Sequence, residues 1–475
     1  MASSTSIDFK GNVTGALADR QLRANFRSAL DGLRAKRLNV FSDAEELDRM
    51  RVQGEANKRR ALAQLPALLE QLEHRCTANG IIVHWAETTD EANRIVLDIM
   101  RSHDATTLVK GKSMVSEEMH LNAYLERHGI EALETDLGEF IIQLNHEPPS
   151  HIIVPAVHKN RQQVARIFHE KLGEPYVDEV EKLNAIARRT LREKFRTAQV
   201  GLSGVNFAIA ETGTLLLVEN EGNGRMCTTV PPVHIALMGL EKVVERLEDV
   251  PPLLRLLTGS ATGQLVTTYV NCITSPRKPG EKDGPREVHL VILDNGRSRM
   301  LADPQLSRTL QCIRCGTCLN HCPVYVRIGG HAYDSVYPGP IGKILTPQID
   351  GLARKGVLAT ASSLCNACEE VCPVRIPIPA LLRRLRRESY APPGEGVVKG
   401  AGSKRTLFEK AVWKGWEMVY SHPALYSFVL KVLGRFGHRL PKVGPLKAWT
   451  SVRTAPRFAS TSLHELTRQE GIRHE

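Results

Sequence analysis

The sequence predicts an α/β domain, then a smaller helical domain built around cysteines, then a basic C-terminal tail. Three observations carry this. Short apolar runs alternate with helix-length amphipathic segments between residues 80 and 300, and seven of the ten cysteines fall between residues 312 and 372. The net charge of +11 resides in the last hundred residues, where 18 Lys+Arg stand against 7 Asp+Glu. At 475 residues the chain exceeds one ordinary core, so two or three domains are expected.

A helical segment is expected over residues 1–79, with Leu62, Leu65, Leu68, Leu69 and Leu72 at helical spacing. The α/β domain spans 80–300. IIVHWA (81–86) reads as a strand, 88–100 as a helix capped by Thr88 or Thr89, and TTLVKG (106–111) as a strand. A helix around 116–128, the strand EALET and the run HIIVPAV (151–157) continue the alternation, which means βαβ units and a mostly parallel sheet. Residues 158–198 read as helical. FAIAETGTLLLVEN (207–220) supplies two apolar runs around Glu211-Thr212-Gly213, and the segments 233–247 and 287–296 complete the domain, with a Pro/Gly-rich loop at 275–285. The cysteine domain covers 301–390 and the basic region 391–475, entered through the linker APPGEGVVKGAG.

The first cysteine run reads Cys312-x2-Cys315-x2-Cys318-x3-Cys322-Pro323, the ligand spacing of bacterial iron–sulfur ferredoxins. Three thiolates two residues apart wrap a tight loop around one cubane, and the fourth points away towards a second cluster. A second run reads Cys365-x2-Cys368-x3-Cys372-Pro373. If the ligands cross, Cys372 completes the cluster of Cys312, Cys315 and Cys318, while the second cluster has Cys322, Cys365 and Cys368. That second cluster is one cysteine short, with Val371 read as standing where the missing ligand would be. Solvent, Glu369 or Glu370, or a partner's cysteine would fill the vacancy, or the cluster would be [3Fe-4S]. Structural zinc uses paired C-x2-C in tetrahedral geometry and has no need of a third cysteine in register. Cys76, Cys227 and Cys272 have no near partner in sequence and read as structural thiols.

The start MASSTSIDFKGNV has no apolar run suited to secretion, and no stretch of about 18 apolar residues occurs, so a cytoplasmic protein with reduced thiols is expected. There is no G-x-G-x-x-G after a strand and no G-x4-G-K-[ST] loop. An electron carrier without a signature for a two-electron cofactor needs partners at both ends.

Several long stretches are familiar: KGKSMVSEEMHLN (110–122), ETDLGEFIIQLNHEPPSHIIVPAVHKNR (134–161), ETGTLLLVENEGNGR (211–225), PPVHIALMGLEKVV (231–244) and both cysteine runs. Through them the chain resembles the lactate utilization protein B family, iron–sulfur subunits of a bacterial L-lactate oxidation system. The resemblance implies a LUD-type domain with a fold like sugar-phosphate isomerases and coenzyme A transferases. It also implies two [4Fe-4S] clusters in a ferredoxin-like domain, and oxidation of L-lactate to pyruvate together with the A and C subunits. The three-cysteine second run matches that family.

Beyond the cysteines, Lys110, Lys112 and Ser113 lie where a strand gives way to a helix, a place for an anion such as lactate, or else a solvated turn with Ser113 as cap. Glu211, Thr212, Glu219, Asn220 and Glu221 bracket one apolar strand, where either a substrate or plain turn chemistry accounts for them. His84, His151, His158 and His234 are candidates for moving the hydroxyl proton, against the simpler reading of satisfied core histidines. The tail mixes Trp413, Trp416, Tyr420, Tyr426, Phe428 and Trp449 with Lys and Arg. It suits an acidic partner or anionic lipid in peripheral contact better than nucleic acid. The leading expectation is an electron-transfer subunit of a lactate-oxidising complex serving an external acceptor. A subunit for another 2-hydroxy acid such as glycolate, or a cluster-based redox sensor, are the alternatives.

Overall fold

The computed structural model describes residues 7–391, 398, 407–437 and 459–471. It opens with four helices, Phe9–Ala18, Arg20–Val40, Ala44–Ala63 and Leu65–Ala78. Asp19 starts the second by accepting from Leu22 N at 2.9 Å, and Asp43 starts the third by accepting from Glu45 and Glu46 N. The leucines read from the sequence form one buried stripe on the fourth helix, Leu65, Leu68, Leu69, Leu72 and Cys76.

Six parallel strands follow: β1 (Ile82–Ala86), β2 (Thr107–Lys110), β3 (Glu131–Glu134), β4 (Val200–Gly204), then β7 (Val233–Gly239) and β10 (Glu287–Leu293), in spatial order β1-β10-β7-β4-β2-β3. The central strands are buried on both faces, which is why 287–293 is an almost continuous apolar run. Alternation still sorts the faces. Val288, Leu290 and Ile292 of β10 join the core shared with the N-terminal helices, whereas Val291 and Leu293 face the helix Thr89–Ser102.

Three expectations need correction. The helix expected over 116–128 is two short ones, Met114–Glu118 and Leu121–Glu126, broken at His120 with φ +50°. Residues 151–157 form no strand. Pro155 lies within the run, and its carbonyl accepts from both Ser150 N and Ser150 Oγ, so the segment closes into a loop. The apolar runs around Glu211 belong to a second, mixed sheet that the alternation did not reveal. It comprises β5 (Phe207–Ile209), β6 (Thr214–Glu219), β8 (Val243–Val244) and β9 (Tyr269–Ile273) in the order β8-β5-β6-β9.

The cysteine region is helical between its loops and shares its apolar core with the N-terminal helices and the second sheet. Residues 1–402 form one compact unit. The second unit, 403–475, contains the helices Leu407–Ser421, Pro423–Phe436 and Leu463–Gln469, with Trp416 stacked on Tyr420 at 4.5 Å. The linker residues 392–397 and 399–402, together with Trp449 of the tail, lie outside the described residues. No helix among the described residues is long and apolar enough to cross a membrane.

One buried ionic cluster joins the parts of the first unit. Glu241, just beyond β7, binds Arg297 Nε at 2.6 Å and Arg314 Nη2 at 3.0 Å through its carboxylate, and its carbonyl accepts from Lys58 Nζ at 2.6 Å. Arg297 also holds Glu118 through both terminal nitrogens at 2.9 Å. Burial opposes the charge on Glu241, but the two guanidinium groups outweigh it and keep the carboxyl well below the ordinary range. Arg297→Ala would leave two buried carboxylates short of a partner. It is expected to cost about 3–5 kcal/mol, seen as a lower denaturant midpoint at unchanged slope.

Candidate metal centre

The two cysteine loops repeat one backbone design at an offset of 50 residues. Gly316 (φ +73°) and Asn366 (φ +70°) both adopt the left-handed conformation and precede the one-turn helices Thr317–Asn320 and Ala367–Glu370. Leu319 N bonds Gly316 O at 2.9 Å as Glu369 N bonds Asn366 O at 2.9 Å, and Cys322 N bonds Leu319 O at 3.1 Å as Cys372 N bonds Glu369 O at 3.1 Å. In this register Cys315, Cys318 and Cys322 match Cys365, Cys368 and Cys372. Val371 then matches His321, not a cysteine, so the expectation that Val371 marks the missing ligand position is overturned. Glycine is needed at 316 for a second reason: an added Cβ would meet His151 Cε1 at 3.0 Å.

Cys312, Cys315, Cys318 and Cys372 line one small cavity, closed by Ile152, Ile313, Ile341, Val374, Ile376 and Ile378. Backbone donors already aim at the sulfurs: Arg314 N lies 3.4 Å from Cys312 Sγ and Ile376 N lies 3.3 Å from Cys372 Sγ. Burial pushes the Cys372 thiol up to about 11 and the Cys315 and Cys318 thiols higher still. Such buried thiols give up protons only to a bound cation, and buried cationic groups stand near them. Arg37 acts on Cys315 and Cys372, while Lys58, Lys242 and Arg314 act on Cys312. Four thiols, N–H donors, dry walls and nearby positive charge fit an iron–sulfur cluster.

The remaining three cysteines form a second group next to Cys318, which interacts electrostatically with Cys368. Cys322 Sγ accepts from Tyr325 N at 3.5 Å and from the fully buried Lys343 Nζ at 3.4 Å, and Cys368 interacts with both Cys322 and Cys365. Burial raises the Cys368 thiol to about 12, with Lys343 opposing. Cys365, by contrast, is exposed. Beside it opens a groove of about 1,100 Å³ lined by Arg20, Arg23, Arg27, Arg34 and Arg327, with Asp31 as its acidic side chain.

The other sequence candidates divide. His151 Nδ1 accepts from Ile153 and Val154 N and Nε2 contacts Asn320 Oδ1 at 2.9 Å, which fixes the proton on Nε2 and docks the 150–157 loop on the first cysteine loop. Burial holds His151 and His158 down at about 4 and His234 at about 3, so all three are neutral at physiological pH. His158 bonds Glu147 and Ser150, His234 bonds Ser203, and His84 pairs with His289 at 2.9 Å. His151 and His158 are thereby satisfied on both ring nitrogens, as core histidines are, whereas His234 Nδ1 is buried without a hydrogen-bond partner among the described residues. Glu211 and Thr212 lie at the start of β6, where Glu211 accepts from Leu247 N and Thr212 bonds Thr214. Glu219, Asn220 and Glu221 lie at its other end. Glu219 caps the short helix Asn223–Thr229 by accepting from Gly224 and Arg225 N, and Asn220 ties down Gln264, Thr267 and Thr268. The two groups do not form one site.

Lys110, Lys112 and Ser113 stand at the C-terminal end of β2, with Glu221 within electrostatic reach of both Lys112 and Glu219. Ser113 caps a helix of only five residues, and Lys112 donates to Ile153 O. Lys110 is fully buried between Glu117, at 2.9 Å, and Glu134, at 2.5 Å. Burial would lower its ammonium, but Glu117, Glu134 and Glu139 together hold it above the ordinary lysine value. Glu134 and Glu139 went unnoticed in the sequence, where the only available signal was two glutamates five residues apart. No donor reaches either oxygen of Glu139, and its contact with Glu134 becomes a hydrogen bond only when one carboxyl keeps its proton. Burial, then the neighbouring Glu134, push Glu139 well above the carboxylate range. A carboxyl raised in the folded state stabilises fully below its unfolded value, about 4.3, and loses that contribution as pH rises through the folded value. Glu139→Gln is therefore expected to be near-neutral in acid and increasingly more stable than the parent chain as pH rises. Thermal denaturation across pH 4–9 measures this.

Comparison with known proteins accords with this geometry. The LUD domain family matches residues 69–293, the 4Fe-4S dicluster domain family 308–376, and the family described as lactate utilisation protein B, C-terminal, residues 384–472. Lactate utilization protein B of Bacillus licheniformis is 41% identical over 456 residues, and that of Macrococcus caseolyticus 42% over 460, each alignment covering 94% of both chains. An uncharacterized electron transport protein of Escherichia coli K12, YkgF, is 39% identical over 459 residues, covering 95% of this chain and 94% of its own. A crystal structure of a DUF162 family protein from Deinococcus radiodurans matches at a TM-score of 0.28 and 14% identity, covering 48% of this chain and 98% of that one, too low a score to bear on the fold. With relatives of this identity along nearly its whole length, the chain belongs to the lactate utilization protein B family.

Proposed function

We propose that this chain is the iron–sulfur electron-transfer subunit of a cytoplasmic system that oxidises L-lactate to pyruvate, working with the A and C subunits of that system and an external electron acceptor. The observation that carries the reading is the meeting of Cys312, Cys315, Cys318 and Cys372 in one dry cavity, in a chain 41% identical to a lactate utilization protein B. Cys322, Cys365 and Cys368 hold the second of two [4Fe-4S] clusters. Bound there, the clusters would take up and pass on single electrons. The isoleucines around the first set exclude water, and Arg37, Arg314 and Lys343 balance added negative charge.

Electrons would enter or leave at the exposed Cys365, and the arginine groove beside it suits an acidic face of a redox partner. The helices of the second unit expose Phe408, Trp413, Trp416 and Phe428 alongside Lys410, Lys414 and Lys431, which supports peripheral contact with an anionic surface. We read the six-stranded domain as of the type shared by sugar-phosphate isomerases and coenzyme A transferases, holding the cluster domain and its partners in register.

Anaerobic purification of the native complex tests the reading. The chain should contain about eight irons with matching sulfide, copurify with redox partners, and have its clusters bleached by L-lactate only when those partners are present. Stoichiometric zinc without sulfide, or lactate turnover by the isolated chain, would refute it. The crossing of ligands has its own check. Cys372→Ser is expected to alter the electron paramagnetic resonance of the cluster at Cys312, Cys315 and Cys318, and to leave the other signal in place.

A further inference from the structure

The second cluster has three cysteines, and the 50-residue repeat identifies what stands in the place of the fourth. In the first loop the earliest ligand, Cys312, lies three residues before Cys315. Between them Arg314 turns left-handed at φ +62° and points its backbone N–H back at Cys312 Sγ, 3.4 Å away. Fifty residues on, Leu364 turns left-handed at φ +57° and points its N–H at the side chain two residues earlier, Ser362 Oγ, at 3.2 Å. A leucine in the left-handed region is strained in itself. Its presence marks the same turn in the second loop, with oxygen where the first loop has sulfur.

We propose that Ser362 supplies the fourth protein ligand of the second cluster, its Oγ occupying the position that Cys312 Sγ occupies at the first. This rests on the two-cluster reading above. The competing oxygens fall elsewhere in the repeat. Glu369 and Glu370 match Leu319 and Asn320 on the one-turn helix, positions that hold no ligand in the first loop. The Ser362 backbone is anchored from both sides: its N–H donates to Thr360 O at 2.8 Å, and its carbonyl accepts from Arg386 Nη2 at 2.9 Å. On coordination the Ser362 O–H bond breaks and an Fe–O bond forms. The proton leaves to bulk water, which reaches the exposed Ser363 next to it and Cys365 three residues on, and no electron is transferred. An alkoxide is a harder ligand than a thiolate and leaves this cluster with one iron distinct from the other three.

The test uses the full chain, reconstituted anaerobically as parent, Ser362→Ala and Ser362→Cys, and read by iron content, Mössbauer and electron paramagnetic resonance spectroscopy. The parent should show about eight irons, one with an oxygen-ligated Mössbauer signature. Ser362→Cys should keep the full complement and convert that iron to a thiolate-type signature. Ser362→Ala should lose about one iron in eight on brief exposure to air, with a three-iron signal from the second cluster and the first cluster unchanged. A fully loaded parent whose spectra and air stability are unaltered in Ser362→Ala would overturn the assignment. So would a Ser362→Cys variant whose new thiol is freely titrated while the cluster stays as it was. A parent chain that binds zinc in place of iron and sulfide would instead overturn the two-cluster reading, and the assignment with it.

Discussion

The arrangement of the first compact unit turns on a single buried carboxylate. Glu241 leaves the end of β7 with nowhere to find water, and a buried charge of this kind persists only when fully paired. Its partners come from three separate parts of the chain: Lys58 from the N-terminal helices, Arg297 from the segment after β10, and Arg314 from inside the first cysteine loop. Satisfying this one residue, its carboxylate by the two arginines and its carbonyl by Lys58, thus requires the helices, the sheet and the cysteine loop to be docked together. Arg314 is also the residue whose left-handed backbone directs its N–H to Cys312, so the same contact helps set the loop geometry.

The N-terminal helices extend this logic to both cysteine loops. Arg34 donates to Asn320 O, Arg37 to Val371 O, and Arg51 to both Cys372 O and Glu369 O. All four carbonyls lie at the C-terminal ends of the one-turn helices that carry the ligands, where backbone acceptors are left over and positive charge is favoured. A helical segment that in sequence looks like a preface therefore clamps the two loops against each other. The outcome is asymmetric. The first cysteine set is sealed by isoleucines and ringed with buried cations, whereas the second presents Cys365 to an arginine-lined groove. An insulated centre next to an accessible one suits a relay that stores charge inside and exchanges it at the surface.

At the end of β2, Lys110 resembles a free anion-binding lysine only while its neighbours in space are unknown. With Glu117, Glu134 and Glu139 around it, it is the counter-ion of a buried carboxylate pair. Glu211 and Glu219 show the reverse error: close in sequence, they are held apart by the length of the extended strand β6.

Whatever depends on neighbours along the chain was legible in the order of residues. The cysteine spacing stated the ligand chemistry, because loops that wrap a cluster need fixed intervals. The apolar alternation located β1, β2, β3 and the runs that carry β7 and β10, but passed over β4 (Val200–Gly204), whose two glycines dilute the apolar run. Thr88 with its helix could be read because a cap acts within one turn. What depends on residues far apart in the chain took its form from long-range packing. Pro155 and the docking of His151 on Asn320 turned an apparent strand at 151–157 into a loop. The mixed second sheet emerged from pairing β5, β6, β8 and β9 across some sixty residues of sequence. The register of the cysteine loops, which sets Ser362 opposite Cys312 and Val371 opposite His321, was fixed by matching backbone torsions and hydrogen bonds. Residue types had diverged at those positions, and the backbone that must enclose a cluster had not.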